Sequence, residues 1–287
     1  MRLITVTARG GRRLLAQDWG APNGLPVLLH HGTPGSRLGT ALRDVPERHP
    51  QFRFFAYDRP GYGGSDRAPG RRVCDAAADA AAVADALGVG AFATVGRSGG
   101  GPHALACAAL LPDRVTAAAS LVGLAPGDAA GLDWYAGMTP YNVEHFGLAA
   151  RDPAALERRL VPQAEAVRRD PGRLLADLRA DLAEADLPVL ADDRVRQVVL
   201  DNLREGLRTS ADGWLDDCLA LCRPWGFRPG AIACPVMLWH GAEDAFSPVG
   251  HFHWLAARLA HGTAVLQPGA GHFAAQYALS DVLRWLL

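Results

Sequence analysis

Lysine is missing from the chain: all 29 basic residues are arginine. That excludes a lysine Schiff base, hence pyridoxal phosphate chemistry, and a Walker-type phosphate lysine. Charge of either sign is not in excess. The formal net charge of -1 at pH 7 leaves no long-range field to draw in nucleic acid or an anionic membrane. Neither is expected as a partner, because acids and arginines alternate in short clusters such as "LERRLVPQAEAVRRD" that read as solvated helix faces. Cysteine is scarce, and the five residues (Cys74, Cys107, Cys218, Cys222, Cys234) are scattered and odd in number, unlike a disulfide framework. Cys218 and Cys222 can share a helix face, but two thiols without nearby histidines make a poor metal site and read as packing. No HExxH or clustered Cys/His pattern occurs, and His251 and His253, two apart on a predicted helix, point in different directions. No metal is expected. No run approaches the roughly 20 apolar residues of a membrane span, and "MRLITVTARGGRRLL" lacks a continuous apolar h-region. The expectation is a cytoplasmic protein.

What is present suits a folded, enzyme-sized chain. Apolar residues make up 49% and charged residues 21% of 287, enough to bury a sizeable core. "RLITVTA" and "RRLLAQDWG" predict a hairpin around Gly10 and Gly11, followed by strands in "PVLLH", "FRFFAYD", "AFATVG" and "RVTAAASLVGL". Helical patterns fall between them at about 40 to 48, 72 to 87 and 99 to 111. This rhythm predicts an α/β fold, a mostly parallel sheet with helices on both faces and chemistry at the carboxyl ends of its strands. From 125 to 230 the pattern turns almost wholly helical, which predicts an inserted helical cap between core segments 1–124 and 231–287. After it the alternation resumes with "PVMLWHG", "GHFHWLAARLA", "TAVLQPG" and "FAAQYALSDVLRWLL".

The stretch "TVGRSGGGPHALA" sets Ser98 in a GxSxG pattern between a predicted strand and a predicted helix. A turn sharp enough to lift a serine oxygen above the sheet is strained, and side chains two residues to either side collide, so glycine is needed at 96 and 100. A serine hydroxyl is a weak nucleophile and requires a histidine base, itself oriented by a carboxylate. "VMLWHGAEDAFSP" supplies Glu243 and Asp244 just past a strand, and "AVLQPGAGHFAAQ" supplies His272 in a turn between the last strand and last helix. Of the other histidines, His103 and His240 read as structural. In "LLHHGTPGSR" a turn after a central strand can aim the backbone N–H of Thr33 toward that of Gly99, the two donors a tetrahedral oxyanion needs.

Taken in order, "HHGTPGS", "YDRPGYGGSD", "GRSGGGPHALA", "WHGAEDAFSP" and "GAGHF" resemble the oxyanion turn, glycine-rich loop, nucleophile elbow, acid loop and histidine loop of the α/β-hydrolase superfamily, over nearly the whole chain. The resemblance implies Ser98 as nucleophile, His272 as base and Asp244 as acid, with Thr33 and Gly99 as oxyanion donors. Asp244 is preferred because the acid loop of the family reads glycine, two residues, aspartate; Glu243 is its competitor. Arg97 stands where relatives often carry histidine or tryptophan, and Pro60 where many carry glycine, departures that bear on substrate choice. Serine rather than aspartate at 98 argues against epoxide hydrolase and haloalkane dehalogenase chemistry.

These residues predict acyl transfer from a small-molecule substrate to Ser98 and then to water, without a cofactor. The aromatic-rich "GLDWYAGMTPYNVEHF" predicts Trp134, Tyr135, Met138, Tyr141 and Phe146 as an apolar pocket roof. The first reading is an esterase or lactonase for a small, mostly apolar ester. A second, resembling the proline iminopeptidases, needs cap acids for a substrate amine, for which Asp216, Asp217 and Glu205 are candidates. A third is a non-hydrolytic, ligand-binding or biosynthetic member of the fold.

Overall fold

The computed structural model describes residues 1–287. Strands β1 (Arg2–Thr7) and β2 (Arg13–Gly20) form the expected hairpin, and Gly10 and Gly11 reverse the chain at φ of +75° and +78°, where an L side chain is strained. There follow β3 (Leu25–His30), α1 (Val45–Arg48), β4 (Phe52–Tyr57), α2 (Ala76–Ala86), β5 (Phe92–Arg97), α3 (Gly100–Leu110) and β6 (Val115–Leu121). The next stretch holds only helices: α4 (Pro140–Arg151), α5 (Pro153–Arg169), α6 (Arg173–Asp177), α7 (Leu187–Ala191), α8 (Asp193–Gly206) and α9 (Asp212–Leu221). The chain closes with β7 (Val236–Gly241), α10 (Val249–Ala256), β8 (Gly262–Gln267) and α11 (Ala275–Trp285).

One eight-stranded sheet runs in the order β1-β2-β4-β3-β5-β6-β7-β8. The pairs β1/β2 and β2/β4 are antiparallel, and every later pair is parallel. Strands β3, β5, β6, β7 and β8 therefore all end on one edge, where their following loops meet. β7 is buried along its whole length, as its unbroken run "VMLWHG" requires of a strand covered on both faces. Leu156, Leu160 and Leu203 of the helical stretch belong to the same buried apolar cluster as Leu28 and Val95 of the sheet, so the helices share one core with it.

One predicted helix is shorter than expected. Only Val45–Arg48 of the stretch 40 to 48 is helical, because Pro46, which lacks an N–H, is tolerated in a first turn but would break the interior of a helix begun at 40. No helix is long and apolar enough to cross a membrane.

His251 of α10 ties the chain leaving β6 to the sheet. Its Nδ1 accepts from the Ala125 N–H at 3.0 Å, and its Nε2 donates to Trp134 O at 3.0 Å, which defines a neutral tautomer. Burial lowers its pKa to about 4. The unfolded chain, with an ordinary imidazole near 6.5, takes up this proton first as pH falls, so stability is present above about 6.5 and declines toward 4. Between pH 7 and pH 5 that linkage is worth about 2 kcal/mol. Urea unfolding at both pH values should show His251→Gln losing about 2 kcal/mol less than wild type on acidification; equal losses would contradict a neutral buried His251.

Candidate active site

Between β5 and α3 the backbone turns within two residues, and Ser98 sits at φ +55°. Left-handed backbone is uncommon outside glycine and persists only where the surroundings enforce it. Here the Ser98 N–H donates to Leu121 O and the Gly101 N–H donates to Ser98 O, both at 2.8 Å. A Cβ at residue 96 would overlap Gly100 O, and one at residue 100 would overlap the carbonyls of His30 and His31. The two flanking glycines are thus required by contact, as the pattern implied.

The loop after β7 carries Asp244, whose Oδ1 accepts from the backbone N–H groups of Phe246 and Ser247 at 2.8 and 2.9 Å. Its Oδ2 accepts from His272 Nδ1 at 2.8 Å. Glu243 is exposed and makes no such contact. With Nδ1 committed to Asp244, Nε2 is the basic ring nitrogen of His272. Ser98 and His272 line the same cavity, and no hydrogen bond joins them. His240 donates from Nε2 to Ser247 O at 2.6 Å and so fastens the acid loop to β7. His103 donates from Nδ1 to Gly99 O at 2.7 Å; burial lowers its pKa to about 3 and keeps it neutral.

Thr33 and Gly99 meet across the floor of the cavity, where a Cβ on Gly99 would overlap the Thr33 hydroxyl. Neither backbone N–H has an acceptor within the protein. Thr33 is held from behind: its Oγ1 donates to Asp217 Oδ2 at 2.5 Å, and the same carboxylate accepts from Tyr62 Oη at 2.9 Å, Arg59 Nη2 at 2.5 Å and Arg71 Nη2 at 2.6 Å. Burial alone would raise this carboxyl, but Arg59 and Arg71 outweigh it and hold Asp217 well below the usual carboxylate range.

Three cap acids were candidates for binding an amine, and none lines the cavity. Asp217 is consumed as described, Asp216 pairs with Arg67 through two contacts at 2.9 Å, and Glu205 pairs with Arg37 at 2.6 Å. The expected roof also needs correction. Tyr141 and Phe146 line the cavity, but Trp134, Tyr135 and Met138 do not. Trp134 faces inward, donating to Ala125 O and packing edge-on against His251 and Phe146, while Tyr135 is exposed and Met138 is buried elsewhere. The remaining apolar wall comes from Leu178 of the stretch after α6, Leu203 of α8, and Trp214 and Leu221 of α9, in a cavity of about 110 Å³.

Asp186 escaped the sequence reading. It is fully buried beside the histidine loop, where its two carboxylate oxygens accept from the N–H groups of His272 (3.2 Å) and Phe273 (2.8 Å). Before "LPVLA" an aspartate reads as a helix N-cap, yet it makes no side-chain cap bond to α7. Its partners are 86 and 87 residues away, beyond any local pattern.

The neighbouring cap acids should separate under mutation. Asp217→Asn leaves two buried guanidinium groups short of their counter-charge and should cost about 3 kcal/mol or more. Asp216→Asn should cost less, because its single partner Arg67 is partly exposed and can turn to water, although Asp216 itself is buried. Urea midpoints measure both, and equal losses would contradict the buried network.

Comparison with known proteins followed the same line. Residues 26–276 match the family model described as alpha/beta hydrolase fold. A non-heme chloroperoxidase of Streptomyces lividans is 38% identical over 124 residues, 42% of this chain and 45% of that one, so the chain spans less than half of that relative's length. A pimeloyl-[acyl-carrier protein] methyl ester esterase of Nitrosomonas europaea is 28% identical over 257 residues, 87% of this chain and 89% of the other. A thermophilic esterase from Thermogutta terrifontis superposes with a TM-score of 0.69 at 26% identity, covering 100% of this chain and 97% of its own. With a family match running from β3 into α11, the chain belongs to the α/β-hydrolase family.

Proposed function

We propose that the chain is a serine hydrolase that cleaves a small, largely apolar carboxylic ester or lactone through an acyl-enzyme, with residues 125–230 as the cap over its site. The observation that carries this reading is one juxtaposition. His272, held from behind by Asp244, borders one cavity together with the strained Ser98 and two unpartnered backbone N–H groups. Relatives named as esterases support the reaction class.

In this mechanism His272 Nε2 takes the proton of Ser98 Oγ as that oxygen attacks the carbonyl carbon. The carbonyl oxygen becomes an oxyanion and accepts from the N–H groups of Thr33 and Gly99. Asp244 holds the imidazole through Nδ1 and stabilises the imidazolium. The imidazolium returns its proton to the departing alkoxide, the carbonyl re-forms and the alcohol leaves. Water, deprotonated by the same nitrogen, then attacks the acyl-enzyme and frees the acid. No cofactor enters any step. An amine-terminated substrate is the poorer match, since no carboxylate lines the cavity to receive an ammonium group.

The test pairs labelling with turnover. A fluorophosphonate probe should label wild type and not Ser98→Ala, and Ser98→Ala or His272→Ala should each lower kcat on p-nitrophenyl esters by about 10⁶-fold. Proline p-nitroanilide should turn over poorly. A folded wild type that resists the probe would sink the hydrolase reading, and preference for the anilide would sink the ester reading.

A further inference from the structure

Arg97 lines the cavity one residue before Ser98. The chain's three most deeply buried arginines, Arg37, Arg59 and Arg71, each hold a carboxylate at 2.5 to 2.6 Å. Arg97, half-buried, holds none. Its one hydrogen bond runs from Nη2 to Gly39 O at 3.3 Å, and its Nε is buried without an acceptor. Neither aspartate nor glutamate occurs in the cavity wall. Burial draws the guanidinium down to about 10, so it is still a cation near neutral pH. A cation set in a mostly apolar cavity wall without a counter-ion is costly, and a carboxylate on the bound molecule would relieve that cost with geometry suited to the guanidinium fork.

The topology indicates which end of the substrate carries the carboxylate. Arg97 reaches toward Gly39, in the loop after β3, and a Cβ on Gly39 would overlap the side chain of Asn202, another cavity residue. His272 and Asp244 follow β8 and β7, on the other side of β5 in the strand order. A leaving group must lie against His272 to receive its proton, so the acyl chain runs the other way, toward Arg97. The cavity, about 110 Å³, leaves room for only a few carbons between the scissile carbonyl and the guanidinium.

We propose that this site, taken as the ester hydrolase proposed above, selects acyl groups that end in a free carboxylate, namely half-esters of short dicarboxylic acids, and that Arg97 binds that carboxylate. The pairing sets specificity and leaves the chemistry at Ser98 unchanged.

The experiment compares substrates that differ only in replacing a terminal carboxylate by methyl: monoethyl succinate, glutarate and adipate against ethyl butyrate, valerate and hexanoate, read by ethanol release. The best pair should show kcat/KM at least tenfold higher for the half-ester. Arg97→Gln should bring that ratio to about one, and Arg97→Lys should restore part of it. A wild-type ratio at or below one in all three pairs overturns the proposal, as does an Arg97→Gln variant that slows both members of a pair alike, which is the signature of a purely structural arginine. Glutarate titrated calorimetrically into Ser98→Ala protein reads the same pairing without turnover. Saturable binding abolished by adding Arg97→Gln supports the proposal, and absence of saturable binding overturns it. Fluorophosphonate labelling run beside these assays keeps the two readings apart: a labelled enzyme without carboxylate preference refutes only the role of Arg97, whereas an unlabelled one refutes the hydrolase.

Discussion

Holding an L-residue in left-handed backbone costs about 1–2 kcal/mol, and the turn at Ser98 bears that cost because the chain on either side leaves it no other path. β5 is paired with β3 and β6 up to its last residues, and α3 begins two residues later. The Ser98 N–H is fixed on Leu121 O, and the next residue of that neighbouring strand, Val122, is itself at φ +47° with its N–H on Trp239 O. Two strained residues therefore lie side by side where β5 and β6 end, the second a β-branched one for which this conformation is an outlier. Packing of the sheet against α3 is what sustains both, so a loosened sheet edge would let the serine relax into the ordinary region and withdraw from the cavity.

The helical stretch between β6 and β7 does more than cover this edge. Asp217 of α9 fixes the Thr33 turn, Asp186 before α7 holds the histidine loop by two backbone bonds, and Asn202 of α8 accepts from the Ser36 N–H at 2.7 Å. Each tie joins a helix to a loop that follows a strand of the sheet. Displacing the helices as a body would disturb the Thr33 and His272 loops together, so under the proposed function admission of substrate and alignment of the site would share the same contacts.

What the sequence made legible was local or spaced by rule. The elbow, the acid loop and the histidine turn are each short segments following a strand, with glycine placed where backbone crowding demands it. The cavity wall was legible only in part because much of it comes from four helices, α4, α6, α8 and α9, whose mutual packing no single amphipathic pattern specifies. Trp134 illustrates the failure: an aromatic in a cap-like segment suggests a roof, yet its indole N–H found an acceptor at Ala125 O and took the ring into the core. The place of Asp217 was open between substrate contact and pairing with arginines for a related reason. A pair of acids on a helix looks like a solvated or ligand-binding face until the partner arginines, more than 140 positions away, are brought against it.

The absence of lysine has a structural counterpart at these buried positions. Arg59 donates through its guanidinium to His31 O, Gly32 O (2.8 Å), the Thr33 hydroxyl (3.2 Å) and both oxygens of Asp217, and its backbone N–H reaches His31 Nε2 at 3.1 Å. Those acceptors lie around a planar fork, and together they tie the turn before Thr33 to an anion beneath it. An ammonium group has three donors on a pivoting stem and cannot reach five acceptors held in fixed directions, so it would lose at least two of these ties and loosen the turn before Thr33. Arg37 ties two elements in a simpler way, bridging Asp58 and Glu205 from a single nitrogen while its own backbone N–H bonds Asp58. Arginine at such sites sets loop geometry as well as charge, and the site inherits its precision from that geometry.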